Sequence, residues 1–383
     1  MTRKLGKMTA LVGAFALTMG MGACSSERSS DAGNDSTSGD TAATGSCEFE
    51  AAGTIGVAMP TKSLERWNRD GAHLKENLED MGFTVDLQYA DNKVDQQISQ
   101  IENMVNSGVE ILVVASIDGG ALDPVLTTAA DAGIPVIAYD RLIMNTDAVD
   151  YYATFDNYQV GQLQGQFIVD TLDLDNTTET FNFEPFSGAP DDNNAAFFFG
   201  GAWDVLLPYV EAGTLVVKSG KSPASTDDWQ SIGIQSWDGS KAQAEMETRL
   251  NSFYTDDKVD VVLSPNDSVA LGITQALTDD GYNADNFPLL TGQDADLANS
   301  QNIVKGLQTM TVWKDTRTLG DQVAKMVQQI ATCADVDVND TESYDNGNKV
   351  VPSYLLDPTV ITADNIVEQL VGSGFYTEED LQG

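Results

Sequence analysis

The sequence predicts an α/β protein with two doubly wound parallel-sheet lobes joined by a three-segment hinge. Strand and helix patterns alternate from residue 54 onward, and the strands are continuous apolar runs, as in parallel sheets covered by helices on both faces. The two halves also resemble each other, because "VEILVVASID" and "IPVIAYD" end in Asp118 and Asp140, while "VDVVLSPND" and "FPLLTGQD" end in Asp267 and Asp294. A chain of 383 residues is long enough for two hydrophobic cores.

The elements of the first lobe follow from apolar runs and their spacing. Short apolar runs predict strands over 54–59, 83–90, 109–116 and 134–139. Helical spacing of apolar residues predicts helices over 63–81, 94–107 and 121–132. Gly82 and Gly133 follow two of these helices, where glycine commonly ends a helix.

The second lobe is expected to begin after "YYATFDN" at 151–157. The same criteria predict helices over 158–172, 193–212, 240–254 and 315–332, and strands over 179–185 and 214–218. The hinge crossings are predicted near 153–156, 291–295 and 350–354. These positions assign 51–154 plus 295–350 to lobe 1 and 155–294 plus 351–383 to lobe 2.

The N-terminal segment predicts export and anchoring. Residues 1–23 carry bases and then a short apolar stretch, as in a signal peptide. Met21-Gly22-Ala23-Cys24 resembles the bacterial lipobox, which implies lipidation of Cys24; the alternative is a plain secretory signal. Residues 24–50 are polar and small, which is typical of a flexible tether. We therefore expect an extracytoplasmic protein, lipid-anchored to the outer face of the cell membrane.

Two further cysteines, Cys47 and Cys333, remain in the predicted exported chain. An even pair outside the cytoplasm indicates a disulfide, and the alternative is two separately buried thiols.

The charge balance narrows the classes of partner. The formal charge is −39, from 59 acidic and 20 basic residues, which disfavours nucleic acid and anionic lipid surfaces. The single histidine, His73, has no motif partner for catalysis, and no zinc spacing or phosphate-binding loop is present in the sequence. We therefore expect no cofactor, no metal site and no enzyme activity. The acid clusters at 256–260, 335–345 and 377–380 do not match a calcium-binding loop, and a structural calcium ion stays open as the alternative to a solvated surface. We also expect a monomer that contacts the membrane through its lipid anchor only.

Polar side chains follow the predicted strands, where ligands of open α/β sheets bind. Acids, amides, a few bases and tryptophans collect there, a set suited to a neutral polyol: carboxylates accept from hydroxyls, Arg and Lys donate to them, and aromatic faces cover the C–H side of a sugar ring. Asp140-Arg141 is the clearest pair, although alone it could be an ordinary salt bridge at a strand end.

Several stretches together resemble the type I periplasmic sugar-binding proteins of ABC transporters, in the xylose-binding and multiple-sugar-binding branch. The stretches are "IGVAMPTKSLERWNRDG", "VVASIDG", "VIAYDRLI", "YYATFDN", "SGAPDDNNA", "LSPND", "GQDAD", "TMTVWKDT" and "VVPSYLL". The resemblance covers roughly residues 52–383. It implies the periplasmic-binding-protein-like I fold and a monosaccharide ligand, such as xylose, glucose, galactose or arabinose, delivered to an ABC import permease.

The resemblance also implies a set of sugar-binding residues. Carried over position by position, they are Lys62, Arg66, Trp67, Asp140, Arg141, Asn157, Asp192, Asn193, Asn194, Trp237, Asn266, Asp294 and Lys314. Three other functions stay open at this stage: a glycoside hydrolase with paired carboxylates, a ligand-sensing regulator, and a receptor of the same fold for another small ligand.

Overall fold

The computed structural model describes residues 53–383. The predicted signal peptide, the lipidation site Cys24, the tether and Cys47 lie outside the described residues. Cys333 is disulfide-bonded. No helix of the described part is long and apolar enough to cross a membrane.

Strands and helices alternate along this part of the chain, as the sequence predicts. The strands are β1 (Thr54–Met59), β2 (Thr84–Tyr89), β3 (Ile111–Val114), β4 (Val136–Tyr139), β5 (Tyr151–Phe155), β6 (Phe181–Pro185), β7 (Leu215–Val216), β8 (Val261–Leu263), β9 (Leu289–Leu290), β10 (Met310–Trp313), β11 (Ser353–Leu356) and β12 (Thr359–Thr362). The α-helices are α1 (Glu65–Asp80), α2 (Val94–Ser107), α3 (Asp123–Asp131), α4 (Asn157–Leu172), α5 (Asn194–Ala212), α6 (Gly239–Phe253), α7 (Asp267–Asp279), α8 (Leu297–Lys305), α9 (Thr316–Ala331) and α10 (Glu378–Gln382). Predicted strand 54–59 and predicted helix 94–107 match β1 and α2.

Lobe 1 is built on a six-stranded sheet in the order β11-β5-β4-β3-β1-β2. Every pairing in it is parallel. Its central strands β1, β3 and β4 are buried, because α1 and α9 cover one face and α2 and α3 the other. Burial on both faces explains why these strands read as continuous apolar runs in the sequence.

Lobe 2 has a parallel sheet in the order β7-β6-β8-β9, and the antiparallel pair β10-β12 extends it. The extension is made by backbone hydrogen bonds from Thr309 to Leu290 (3.1 Å) and from Val312 to Gly292 (2.9 Å). Both lobes are therefore α/β layers with mostly parallel sheets, which confirms the predicted fold class.

The chain crosses between the lobes later than predicted at both its second and its third crossing. The chain passes between lobes after β5, after β10 and after β11, because β10 bonds to lobe 2, α9 packs in the core of lobe 1, and β11 pairs with β5. Residues 295–313 thus belong to lobe 2 rather than lobe 1, and residues 351–356 to lobe 1. The prediction placed the crossing at Asp294, where the internal repeat ends. The chain instead adds one more strand to lobe 2, "MTVW" of β10, and crosses after it.

Candidate functional site

The carboxyl ends of the two sheets face each other across a small cavity. Both lobes line it. Its lining residues are Leu64, Arg66, Trp67, Asp140, Arg141, Asp192, Asn194, Phe198, Trp237, Asn266, Ser268, Gln293, Asp294, Asp296 and Lys314. Ten of the thirteen residues predicted for the site are among them.

Three predicted residues lie away from the cavity. Lys62 is exposed, with its ammonium 4.8 Å from the ring centre of Tyr89. Asn193 lines a separate surface groove. Asn157 is buried beneath the site, where its amide nitrogen donates to the hydroxyl of Tyr152 over 3.3 Å. The motif match alone could not tell in which direction these three side chains point.

Five lining residues were missed: Leu64, Phe198, Ser268, Gln293 and Asp296. Phe198 stands four residues after Asn194 on α5, and residues at this spacing share one face of a helix. That spacing was a usable signal. Gln293 and Asp296 flank Asp294, and nothing in the sequence distinguishes them from ordinary loop residues.

Arg66 is the electrostatic centre of the site. Its Nη2 donates to Asp70 Oδ2 (2.9 Å) and Asp140 Oδ1 (2.8 Å), and its Nη1 lies 3.5 Å from Asp294 Oδ1. Burial lowers the pKa of Arg66, but Asp140, Asp70 and Asp294 outweigh it and hold the pKa well above its ordinary value. The guanidinium is therefore a permanent charge that joins an acid of lobe 1 to an acid of lobe 2.

The backbone at Asp140 explains why a buried strand ends in a charged pair. Asp140 has φ 61°, in the left-handed region that few side chains adopt. Its carbonyl oxygen accepts from the hydroxyls of Tyr152 (2.7 Å) and Thr154 (3.0 Å) and from Nδ2 of Asn194 (2.7 Å). This turn ends β4 and directs the carboxylate to Arg66 instead of along the strand.

A second cluster joins the lobes at Asp192. Its Oδ2 lies 2.9 Å from Arg141 Nε and accepts from Trp237 Nε1 over 3.1 Å. Burial raises the pKa of Asp192 most, and Asp140 adds to the increase while Arg141 lowers it. Because Arg141 is in lobe 1 and Asp192 in lobe 2, this pair and the Asn194–Asp140 hydrogen bond hold the lobes in a closed arrangement.

The acids of the 293–296 loop differ in protonation. Burial raises the pKa of Asp294, but Lys314, whose ammonium is 3.1 Å away, and Arg66 lower it below its ordinary value. Asp296 has its pKa raised to about 7 by burial, then by Asp294 and Glu65, against the lowering effect of Arg69 and Arg66. The loop thus presents one carboxylate that is ionised at neutral pH and one that titrates near it.

Aromatic rings form the walls. Trp67 comes from lobe 1, with the guanidinium carbons of Arg66 and Arg141 at 4.5 and 5.2 Å from its ring centre. Phe198 comes from lobe 2, with Lys314 Nζ 5.2 Å from its ring centre. Trp237 is held against Gly188, where an added Cβ would lie 2.0 Å from the indole ring. Such rings can cover the C–H faces of a ligand while the polar groups reach its edge.

Several buried polar atoms of lining residues have no hydrogen-bond partner within the described residues. They are Arg66 Nε and Trp67 Nε1, which are donors, and Gln293 Oε1 and Asp296 Oδ1, which are acceptors. Leaving such groups unpaired costs about 1–3 kcal/mol each. Asp296 Oδ1 lies 3.6 Å from Arg69 Nη2, as an ion pair. The other three are the kinds of donor and acceptor that hydroxyl groups of a ligand can satisfy. Within residues 53–383, no cluster of acids, cysteines or histidine is suited to a metal ion.

A family profile described as the periplasmic binding protein domain matches residues 55–334. The chain belongs to the periplasmic binding protein family. The binding protein is 47% identical over 332 residues to the multiple sugar-binding periplasmic receptor ChvE of Rhizobium radiobacter, covering 86% of this chain and 92% of that one. It is 36% identical over 327 residues to the D-xylose-binding periplasmic protein of Escherichia coli K12, covering 85% and 92%.

A solved structure agrees with these relatives. An ABC transporter solute-binding protein from Clostridium phytofermentans with bound β-D-glucose is 52% identical, with a TM-score of 0.82 over 86% of this chain and 99% of that one. These matches confirm the predicted family, its multiple-sugar and xylose-binding branch, and the assignment of this chain as a binding protein rather than an enzyme.

Proposed function

We propose that this binding protein captures a monosaccharide of the aldopyranose type between its lobes and delivers it to an ABC import permease. The observation that carries the proposal is the cavity itself: charged groups from both lobes, aromatic walls, and unpaired donors and acceptors on buried lining residues. The names of the relatives, a multiple-sugar receptor and a xylose-binding protein, and the glucose bound in the solved structure support the same ligand class.

Capture would proceed by closure of the lobes around the sugar. Of the thirteen predicted residues, the ten that line the cavity are proposed as its ligands, with Phe198 and Gln293 added. Asp140 pairs directly with Arg66, and Asp294 with Lys314. Sugar hydroxyls would bond to the remaining oxygens and N–H groups of these side chains, and bonds to such charged groups contribute about 1.5–3 kcal/mol each. The direct contacts between lobes, Arg141–Asp192 above all, would then stabilise the loaded form.

Anchoring belongs to the same proposal. We infer that the protein works as a monomer outside the cytoplasm, tethered through a lipid on Cys24. We also propose that Cys47 is the disulfide partner of Cys333, since Cys333 is disulfide-bonded and the chain has only three cysteines.

Titration calorimetry of the purified protein with glucose, xylose, galactose and arabinose tests the function. We expect one-to-one binding of at least one aldopyranose and a rise in melting temperature, since a ligand at a hundred times its Kd adds about 2.7 kcal/mol to the free energy of unfolding. Amino acids and myo-inositol serve as controls. Failure of every monosaccharide to bind would exclude the proposal.

A further inference from the structure

A second, larger groove adjoins the cavity on one side of the interlobe cleft. It shares Leu64, Trp237 and Ser268 with the cavity. Ser63 and Asn92 border it from lobe 1, and residues of α6 and of the first three turns of α7 border it from lobe 2. The groove therefore continues the cavity outward from the three shared residues, and none of the interactions of the closed cavity described above occupies it.

The chemistry of the groove is neutral. Most of its lining side chains are hydroxyls and carboxamides, among them Asn92, Ser240, Gln243 and Gln275. Asp238 is the one charged residue among those lining it, and its carboxylate already accepts from the backbone of Ser240 over 2.8 Å. In a chain with 59 acids and 20 bases, such a lining favours neither an anionic nor a cationic ligand. It suits a neutral ligand that is rich in hydroxyl groups.

Close packing of two helices and a tight turn form the lobe 2 side of this groove. Helices α6 and α7 meet at Gly239 and Gly272, where an added Cβ on Gly272 would lie 1.9 Å from the carbonyl oxygen of Gly239. Ser236 and Trp237 both have positive φ, 62° and 56°, in a turn that sets the Trp237 ring between cavity and groove. Leu271, 43% exposed, adds an apolar surface against which the C–H face of a second ring could pack.

We propose that the groove is a second sugar subsite, so that the protein also binds disaccharides or other neutral glycosides with one ring in the cavity and the next in the groove. This inference rests on the proposed function, because the first ring occupies the monosaccharide cavity. The linkage would pass between Leu64 and Ser268, which face both spaces.

The test compares glucose with maltose, cellobiose and gentiobiose by titration calorimetry on the purified protein. We expect at least one disaccharide to bind within about tenfold of glucose. The double variant Gln243→Ala/Gln275→Ala should weaken that disaccharide by about fivefold to tenfold and leave glucose unchanged, because each lost hydrogen bond is worth a few-fold in affinity. Ser240→Trp places a large side chain in the groove. It should abolish binding of the disaccharide and leave binding of glucose unchanged.

A matched control is Gln166→Ala on α4. Gln166 is exposed and donates to an acid four residues later (2.7 Å), as Gln243 and Gln275 do (2.8 and 2.9 Å), but it lies outside the groove. Binding of glucose without any disaccharide would overturn the subsite and leave the proposed function intact. The subsite would also be overturned if both groove variants bound the disaccharide with the affinity of the wild type. If no disaccharide and none of glucose, xylose, galactose and arabinose bound, the proposed function would fail with it.

Discussion

Asp140 of lobe 1 and Asp294 of lobe 2 end corresponding strands of the two halves, and both have positive φ, 61° and 97°. Their partners differ. Asp140 bonds to Arg66 at 2.8 Å within its own lobe, whereas Asp294 is 3.5 Å from Arg66, across the cleft, and 3.1 Å from Lys314 beside the hinge. One acid is therefore positioned before closure, and the other completes its contacts only when the lobes meet. The two corresponding strand ends therefore differ in role: Asp140 makes its ion pair within lobe 1, and Asp294 links the two lobes.

The largest expected effect comes from removing the cation that both acids share. Arg66→Leu leaves Asp70 and Asp140 buried without their partner, which costs about 3–5 kcal/mol. We expect a lower urea midpoint and the loss of measurable sugar binding. Arg66→Lys keeps the positive charge but loses the forked arrangement of the guanidinium N–H groups. It should therefore restore part of the stability and little of the sugar affinity. Equal affinity in Arg66→Lys and the wild type would contradict the central role of the forked contacts.

A smaller effect separates the two acids directly. Asp140→Asn and Asp294→Asn should each weaken sugar binding by about tenfold to a hundredfold, through bonds to charged groups. Asp140→Asn should lower the melting temperature of the sugar-free protein more than Asp294→Asn does, because the Asp140–Arg66 pair lies within one lobe, whereas Asp294 keeps only its Lys314 contact when the lobes are apart. Asp140→Ala should cost about 1–2 kcal/mol more than Asp140→Asn, since asparagine tolerates the left-handed backbone better. Equal melting temperatures for the two asparagine variants would remove the proposed distinction.

The smallest effect concerns pH. The pKa of Asp296 is about 7 in the closed protein, and in an open form water would return it toward its ordinary, lower value. Closure then takes up a proton, so affinity should fall as pH rises toward 7 and level off above about 8. The fall is at most about tenfold per pH unit. Calorimetry from pH 5.5 to 8.5 measures it.

Asp296→Asn provides the control for that profile. It cannot titrate, so its affinity should change less with pH than the wild type does, while Glu65, Asp294, Arg66 and Arg69 still face the position. Identical profiles in the two proteins would show that another group carries the pH dependence.

The sequence predicted the strands β1 to β4, β6 and β7, since strands buried on both faces are continuous apolar runs that can be recognised locally. It predicted no strand at β5, β10, β11 or β12, which lie near the crossings between the lobes. It also predicted most of the cavity lining, because strand ends of parallel sheets meet at one edge. It misplaced the second hinge crossing, because β10 resembles any other buried strand and only its hydrogen bonds reveal its lobe. It overlooked Phe198, which in sequence is simply one of three phenylalanines on α5.

What the sequence by itself determined is the inventory: which residues end each strand, and that acids, amides, bases and aromatic rings gather there. The tertiary structure alone decided which of them converge. Whether Lys62, Asn157 or Asn193 reaches the cavity depends on the direction of its side chain. Whether Arg66 contacts Asp294 depends on packing between segments that are 228 residues apart in the chain. Long-range packing sets such directions and distances, and no local pattern encodes them.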